Sequence, residues 1–120
     1  MKFRDPDNNN ERFESQCEQV YAMLINAAQK GKTVYYDEIS KRIGLSRDSF
    51  RLLTEILDAI AEYEHGQSRP LLTAVAVQRA SGISGPGFIG LARRLGLYGW
   101  YERRFYETEL SKVYSQWAIR

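Results

Sequence analysis

A mostly helical α+β fold, built on a helix-turn-helix with a short strand pair or small sheet, follows from three observations. Apolar residues recur at three- and four-residue steps over long stretches of the 120-residue chain, the spacing that gathers them on one side of a helix. Two such patterns follow one another across Gly44-Leu45 with only a short turn between them, as in a helix-turn-helix. The run "LLTAVAVQR" after Pro70 is β-prone and apolar on both faces, and it passes straight into the glycine-rich "ASGISGPG", as a covered strand followed by a forced turn would.

Length and composition set the frame. With 43% hydrophobic residues, the chain suits one domain whose core needs neither disulfide nor structural metal. Residues 11–120 make up that domain. Residues 1–10, "MKFRDPDNNN", are polar and aperiodic and read as a flexible lead-in. The lone Cys17 has no partner for an internal disulfide, and no apolar run reaches signal-peptide or membrane-spanning length. A cytoplasmic protein that does not engage the membrane is therefore expected. A net charge of +2 permits contact with a polyanion without demanding it.

Each element then has its own justification. From Glu11, the residues Phe13, Cys17, Val20, Tyr21, Leu24 and Ala28 form one helical stripe that Gly31 stops. Cys17 lies on that stripe and packs as a small hydrophobe. Residues 33–35 are β-branched or aromatic and lead into Asp37, a good N-cap, after which Ile39 and Ile43 share a helix face until Gly44. Ser46 is the natural N-cap of the next helix, whose stripe is Phe50, Leu53, Leu57 and Ile60, running to about Tyr63 before His65-Gly66. On this helix Glu55, Asp58, Glu62 and Glu64 mark the wet side. Residues 71–79 give the strand, and the glycine loop reads as a tight ordered turn or small wing, which makes the whole winged-helix-like. Phe88, Leu91, Ala92 and Leu95 predict a short helix ended by Gly96. The aromatic stretch "LYGWYERRFY" precedes a final helix carrying Tyr106, Leu110, Val113, Tyr114 and Trp117 on one face.

Catalytic chemistry finds little to work with. One histidine and one cysteine cannot supply a multi-histidine or thiolate metal site, and no Ser-His-Asp arrangement is visible. "GISGPG" matches neither the P-loop nor the dinucleotide fingerprint, both of which need fixed glycine spacing. No catalytic residue, metal or cofactor is assigned.

The order of "TVYYDEISKRIG", a helix, "RPLLTAVAV" and a glycine loop resembles the winged-helix domain of the DNA alkyltransferases that repair methylated guanine, and of the alkyltransferase-like proteins. Tyr36, Glu38 and Ile39 match the piece that opens the family's helix-turn-helix. Arg47 and Arg51 lie near the family's recognition-helix arginine, a residue or more out of register. Pro70 stands where the family has the proline of its Pro-Cys-His-Arg motif, but Leu71, Leu72 and Thr73 follow. Alkyl transfer requires an activated thiolate, so that reaction is excluded here. The resemblance spans about residues 33–88 and implies DNA recognition without suicide chemistry.

The expected function is a non-catalytic domain that binds double-stranded DNA. Tyr36, Arg42, Ser46, Arg47, Arg51 and Arg79 would meet groove or phosphates, with Ser81 and Gly82 of the wing as flanking contacts. The alternative is a protein–protein interaction module or accessory subunit that docks through residues 97–106, with Trp100, Tyr101, Arg103 and Arg104 as anchors, since interfaces favour Trp, Tyr and Arg.

Overall fold

Residues 71–77 run through the centre of the molecule, and every one of them is buried. The structure, a computed structural model, describes residues 2–5, 11–46, 49–97 and 101–119. Three helices pack around the central segment: α1 (Glu11–Gln29), α3 (Phe50–Gly66) and α5 (Glu102–Trp117). Each turns an apolar stripe inward. On α1 the stripe is the expected one, with Phe13, Cys17, Val20, Tyr21, Leu24 and Ala28 all buried. On α3 it runs through Leu53, Ile56 and Ile60, and on α5 through Tyr106 and Val113.

Two short strands complete the α+β character. β1 (Val34–Tyr35) pairs in parallel with β2 (Ala76–Val77), in the register Val34 to Ala76 and Tyr35 to Val77. The chain between them holds α2 (Tyr36–Arg42) and α3, because parallel neighbours need a long crossover rather than a hairpin. After β2 comes a loop, residues 78–85, and then α4 (Pro86–Arg94), which packs against α3. Proline opens α4 at its first position, where no intrahelical N–H is required.

Several expectations are modified. The strand expected over residues 71–79 is confined to Ala76–Val77, and Leu72–Val75 coil instead into a 3-10 turn. Among the described residues no strand follows β2, so the glycine loop runs into a helix rather than forming one side of a hairpin. Asp37 was the expected N-cap of α2, but Tyr35 occupies that position and Asp37 lies in the first turn. Ser49, not Ser46, directly precedes α3. The lead-in is not wholly left in solvent: the Phe3 ring is 2% exposed and packs edge-on against Tyr21 and Tyr63. The backbone N–H groups of Lys2 and Phe3 donate to the Glu14 carboxylate at 3.1 and 3.2 Å. Glu64, expected on the wet side of α3, is fully buried.

Candidate nucleic-acid interface

The turn between α2 and α3 is set by local chemistry. The Glu38 carboxylate accepts the Tyr35 N–H at 3.2 Å, tying off the amino end of α2. Gly44 takes φ +74° to end α2, a conformation costly for any residue with a Cβ. Leu45 N–H then donates to Ser40 carbonyl at 2.8 Å, and Ser49 N–H to Ser46 carbonyl at 3.0 Å. The Ser46 and Ser49 hydroxyls lie 3.2 Å apart. Together these bonds carry the chain from α2 to an amino end of α3 that is open to solvent, with Phe50 63% exposed.

Across from this turn, the glycine loop is closed on itself. Gln78 N–H donates to Ile83 carbonyl at 2.9 Å and Gly82 N–H to Gln78 carbonyl at 2.8 Å. The Ser84 hydroxyl donates to Ala76 carbonyl at 2.7 Å. The loop is also tied to α2, because Gly85 N–H donates to the Tyr36 hydroxyl at 2.8 Å. A Cβ at Gly85 would lie 2.8 Å from the Gln78 amide and in ordinary contact with the Tyr36 ring, so the loop packs closely on α2 and a larger residue would have to displace the Gln78 side chain. Burial pushes the Tyr36 phenol above its ordinary pKa, against the opposing effect of the Gly85 N–H.

Two hollows meet on this face at Tyr36, Phe50, Leu53 and Gln78. One is a cavity of about 220 Å³ between α3 and the start of α4, walled chiefly by Leu57, Pro86, Phe88 and Leu91. Asp58 lies at its edge, where burial raises the carboxyl pKa and Arg94, at 3.3 Å, partly opposes that rise. The other is wider and more open, with Ser40, Lys41 and Ser46 on the helix side and Arg79 and Ala80 on the loop side.

The structure gathers some of the expected residues and separates others. Tyr36 and Ser46 line the open hollow. Arg51 projects from the first turn of α3 with its side chain 93% exposed, in an i,i+4 pair with Glu55 at 3.3 Å. Arg42 is turned away, into a groove shared with Lys30 and Lys32 near the end of α1. Lys41, one residue earlier, takes the place beside Ser46. Arg79 is engaged by Asp37 through two hydrogen bonds, at 2.8 and 2.9 Å, and lies 4.1 Å from the Tyr35 ring centre. The guanidinium holds the Asp37 carboxyl below its ordinary pKa. Ser81 donates to Gln78 Oε1 at 3.2 Å, and Gly82 is exposed at φ +71°. Arg47 and Trp100 lie outside the described residues. Tyr101 is 72% exposed, Arg103 pairs with Glu107 at 3.1 Å, and Arg104 is exposed.

Lys41, Phe50, Gln78 and Asp37 line this face without being among the contact residues expected from sequence, where Asp37 is a candidate N-cap and Phe50 part of the α3 stripe. Lys41 and Arg42 differ by one helical step of about 100°, and which of them faces the hollow depends on how α2 packs. Phe50 fits the apolar stripe of α3 by spacing but lies ahead of the point where that stripe meets the core.

Among the described residues no three His, Cys, Asp or Glu side chains come together in a way that could hold a metal, and no helix is long and apolar enough to cross a membrane. What the face offers is recognition chemistry: cations, hydroxyls, an exposed aromatic ring and an amino-terminal helix end. No protein-family model, curated protein or solved structure matches the chain.

Proposed function

We propose that this chain is a non-catalytic, winged-helix-like domain that binds double-stranded DNA, presenting the amino end of α3 to the duplex with the loop of residues 78–85 alongside. The observation that carries this reading is the open face where α2 meets α3. Lys41, Ser46 and Phe50 are exposed and line the open hollow there, Arg51 is exposed in the same first turn of α3, and no carboxylate among the described residues pairs with Lys41. The positive end of the dipole at the start of the 17-residue α3 adds to the attraction for phosphate. The Arg51–Glu55 pair is a single hydrogen bond at 3.3 Å from an arginine side chain 93% exposed, and it offers little resistance to a competing phosphate. The resemblance in residues 33–88 to a DNA-repair winged-helix domain points the same way.

Fluorescence polarisation against duplex DNA, single-stranded DNA and RNA at two salt concentrations tests the proposal. Duplex should bind most tightly, with affinity falling as salt rises. Lys41→Ala and Arg51→Ala should each make the log–log salt dependence shallower by about one. Phe50→Ala should weaken binding while changing stability by less than about 0.5 kcal/mol, as at other exposed positions. Absence of duplex binding at low salt would overturn the reading.

A second reading rests on Tyr101 and Leu97, two exposed apolar side chains of the same segment. It makes residues 97–106 a docking segment for a protein partner. In that case Tyr101→Ala would abolish partner capture and leave duplex titrations untouched.

A further inference from the structure

The parallel register of the two strands has a consequence just beyond their ends. Because Tyr35 lies opposite Val77, the residue two places further on in each chain comes to the same end of the pair: Asp37 on α2 and Arg79 on the loop. They meet there through the paired hydrogen bonds at 2.8 and 2.9 Å, with the Arg79 guanidinium over the Tyr35 ring. The two-pronged geometry matches the fork of a guanidinium to a carboxylate, and the same fork fits a phosphate equally well. Both partners remain more than half exposed, so a polyanion can reach the pair from solvent. The loop does not depend on this bridge for its shape, since Gly82 N–H is held by Gln78, Gly85 N–H by Tyr36, and Ser84 by Ala76.

We infer that Asp37 is an internal competitor of the DNA phosphate for Arg79: the carboxylate occupies the guanidinium in the bound state of the wild-type protein, and its removal recruits Arg79 into the interface. The inference rests on the DNA-binding reading above and adds a determinant of affinity to it. Asp37 thereby lowers both the strength and the salt dependence of binding, and Arg79 is a contact in reserve.

Salt titrations of duplex binding with the full chain and three variants, Asp37→Asn, Arg79→Ala and the double substitution, decide the matter. Each phosphate neutralised adds about 0.9 to the log–log slope. Asp37→Asn should therefore bind more tightly at low salt and lose about eightfold more affinity than wild type over a tenfold rise in salt. Adding Arg79→Ala to Asp37→Asn should remove that increment and return the slope to the wild-type value. An unchanged slope in Asp37→Asn would overturn the inference, because Arg79 would then not reach the phosphates. A double variant with a slope shallower than wild type would overturn it as well, because Arg79 would already be in contact while paired. Amide hydrogen exchange at Gly82 and Gly85 should stay at the wild-type level in Asp37→Asn. Lost protection there would make Asp37 a tie for the loop rather than a competitor. If neither wild type nor any variant binds duplex, the DNA-binding reading fails and takes this inference with it, whereas binding with an unaltered slope defeats the inference alone.

Discussion

Glu64 shows at the level of one residue how a charge can lie inside a domain of this size. Its carboxylate has no access to solvent, accepts the Tyr21 hydroxyl at 2.8 Å and pairs with Arg69 Nε at 2.5 Å. Arg69 also lies over the Tyr63 and Trp117 rings, so aromatic faces replace part of the water it has lost. Removing one partner of a buried pair strands the other charge, and Arg69→Ala should cost about 3–5 kcal/mol. Tyr21→Phe, which leaves the ion pair but deletes the bond to Glu64 and the longer one from Arg69 Nη2 at 3.5 Å, should cost about 1.5–3 kcal/mol, most of it from the shorter bond. Denaturant midpoints measure both. The signal for Glu64 was present in the sequence: it follows Ile56 and Ile60 at intervals of four, on the stripe that faces the core. The assumption that carboxylates mark the wet side overrode a spacing that put this one inside. Cys17 is the converse, a residue whose burial was legible from spacing alone. Burial first, and then Glu14, push its thiol from 9.0 up to about 12. Above about pH 9 the unfolded chain ionises there while the folded chain keeps its proton. Stability should consequently fall as pH rises from about 9 towards 12, and Cys17→Ala should flatten that fall in urea titrations.

The segment of residues 71–77 makes the corresponding argument for an element. Apolar side chains on both of its faces indicated correctly that it is covered all round, yet burial on every side does not distinguish a strand from a short coil. A strand needs a partner of its own length, and in the parallel register residues 72–75 would face residues 30–33, where the chain is still turning out of α1, so β1 offers only Val34–Tyr35. Side chains, mostly from α5, take over backbone groups that a longer ladder would have paired. Glu109 Oε2 accepts Leu71 N–H at 2.8 Å, the Tyr106 hydroxyl donates to Ala74 carbonyl at 3.0 Å, and Ser84 caps Ala76. Glu109 is buried, on the same side of α5 as Tyr106 and Val113. Glu109→Ala should leave a buried N–H unsatisfied and cost about 2–3 kcal/mol, whereas Tyr106→Phe should cost about 1 kcal/mol, both read from thermal or chemical unfolding. Sequence spacing found α1, α3, α4 and α5 because each carries its own stripe. It could not find these side-chain substitutes, since they join residues more than 30 positions apart. The succession of α2 and α3 was legible for the opposite reason, the end of α2 being fixed locally by Gly44.

Over the whole molecule, α3 separates what stabilises the fold from what is proposed to recognise DNA. Its amino end carries Phe50 into the open hollow, with Arg51 exposed in the same turn. Its carboxyl end carries Tyr63 and Glu64 into the cluster formed with Tyr21, Arg69 and the incoming Phe3. Thirteen residues of helix place the two about 20 Å apart, at 1.5 Å of rise per residue. That separation exceeds the Debye length of about 10 Å at 0.1 M salt, so exposed charges at one end are largely screened from exposed charges at the other. The amino-terminal segment belongs to the stabilising end: the Lys2 ammonium lies 4.5 Å from the Tyr21 ring centre and 4.9 Å from that of Tyr63, with Phe3 buried beneath. Phe3→Ala should therefore cost about 3–5 kcal/mol, the usual loss for a buried phenylalanine, and should lower the unfolding midpoint visibly. At a temperature where the variant is still folded, its duplex affinity and salt slope should equal those of wild type. A slope that changed with Phe3→Ala would mean that the two ends of α3 are coupled through the core, and the proposed interface would then extend beyond the face formed by α2, the start of α3 and the glycine loop.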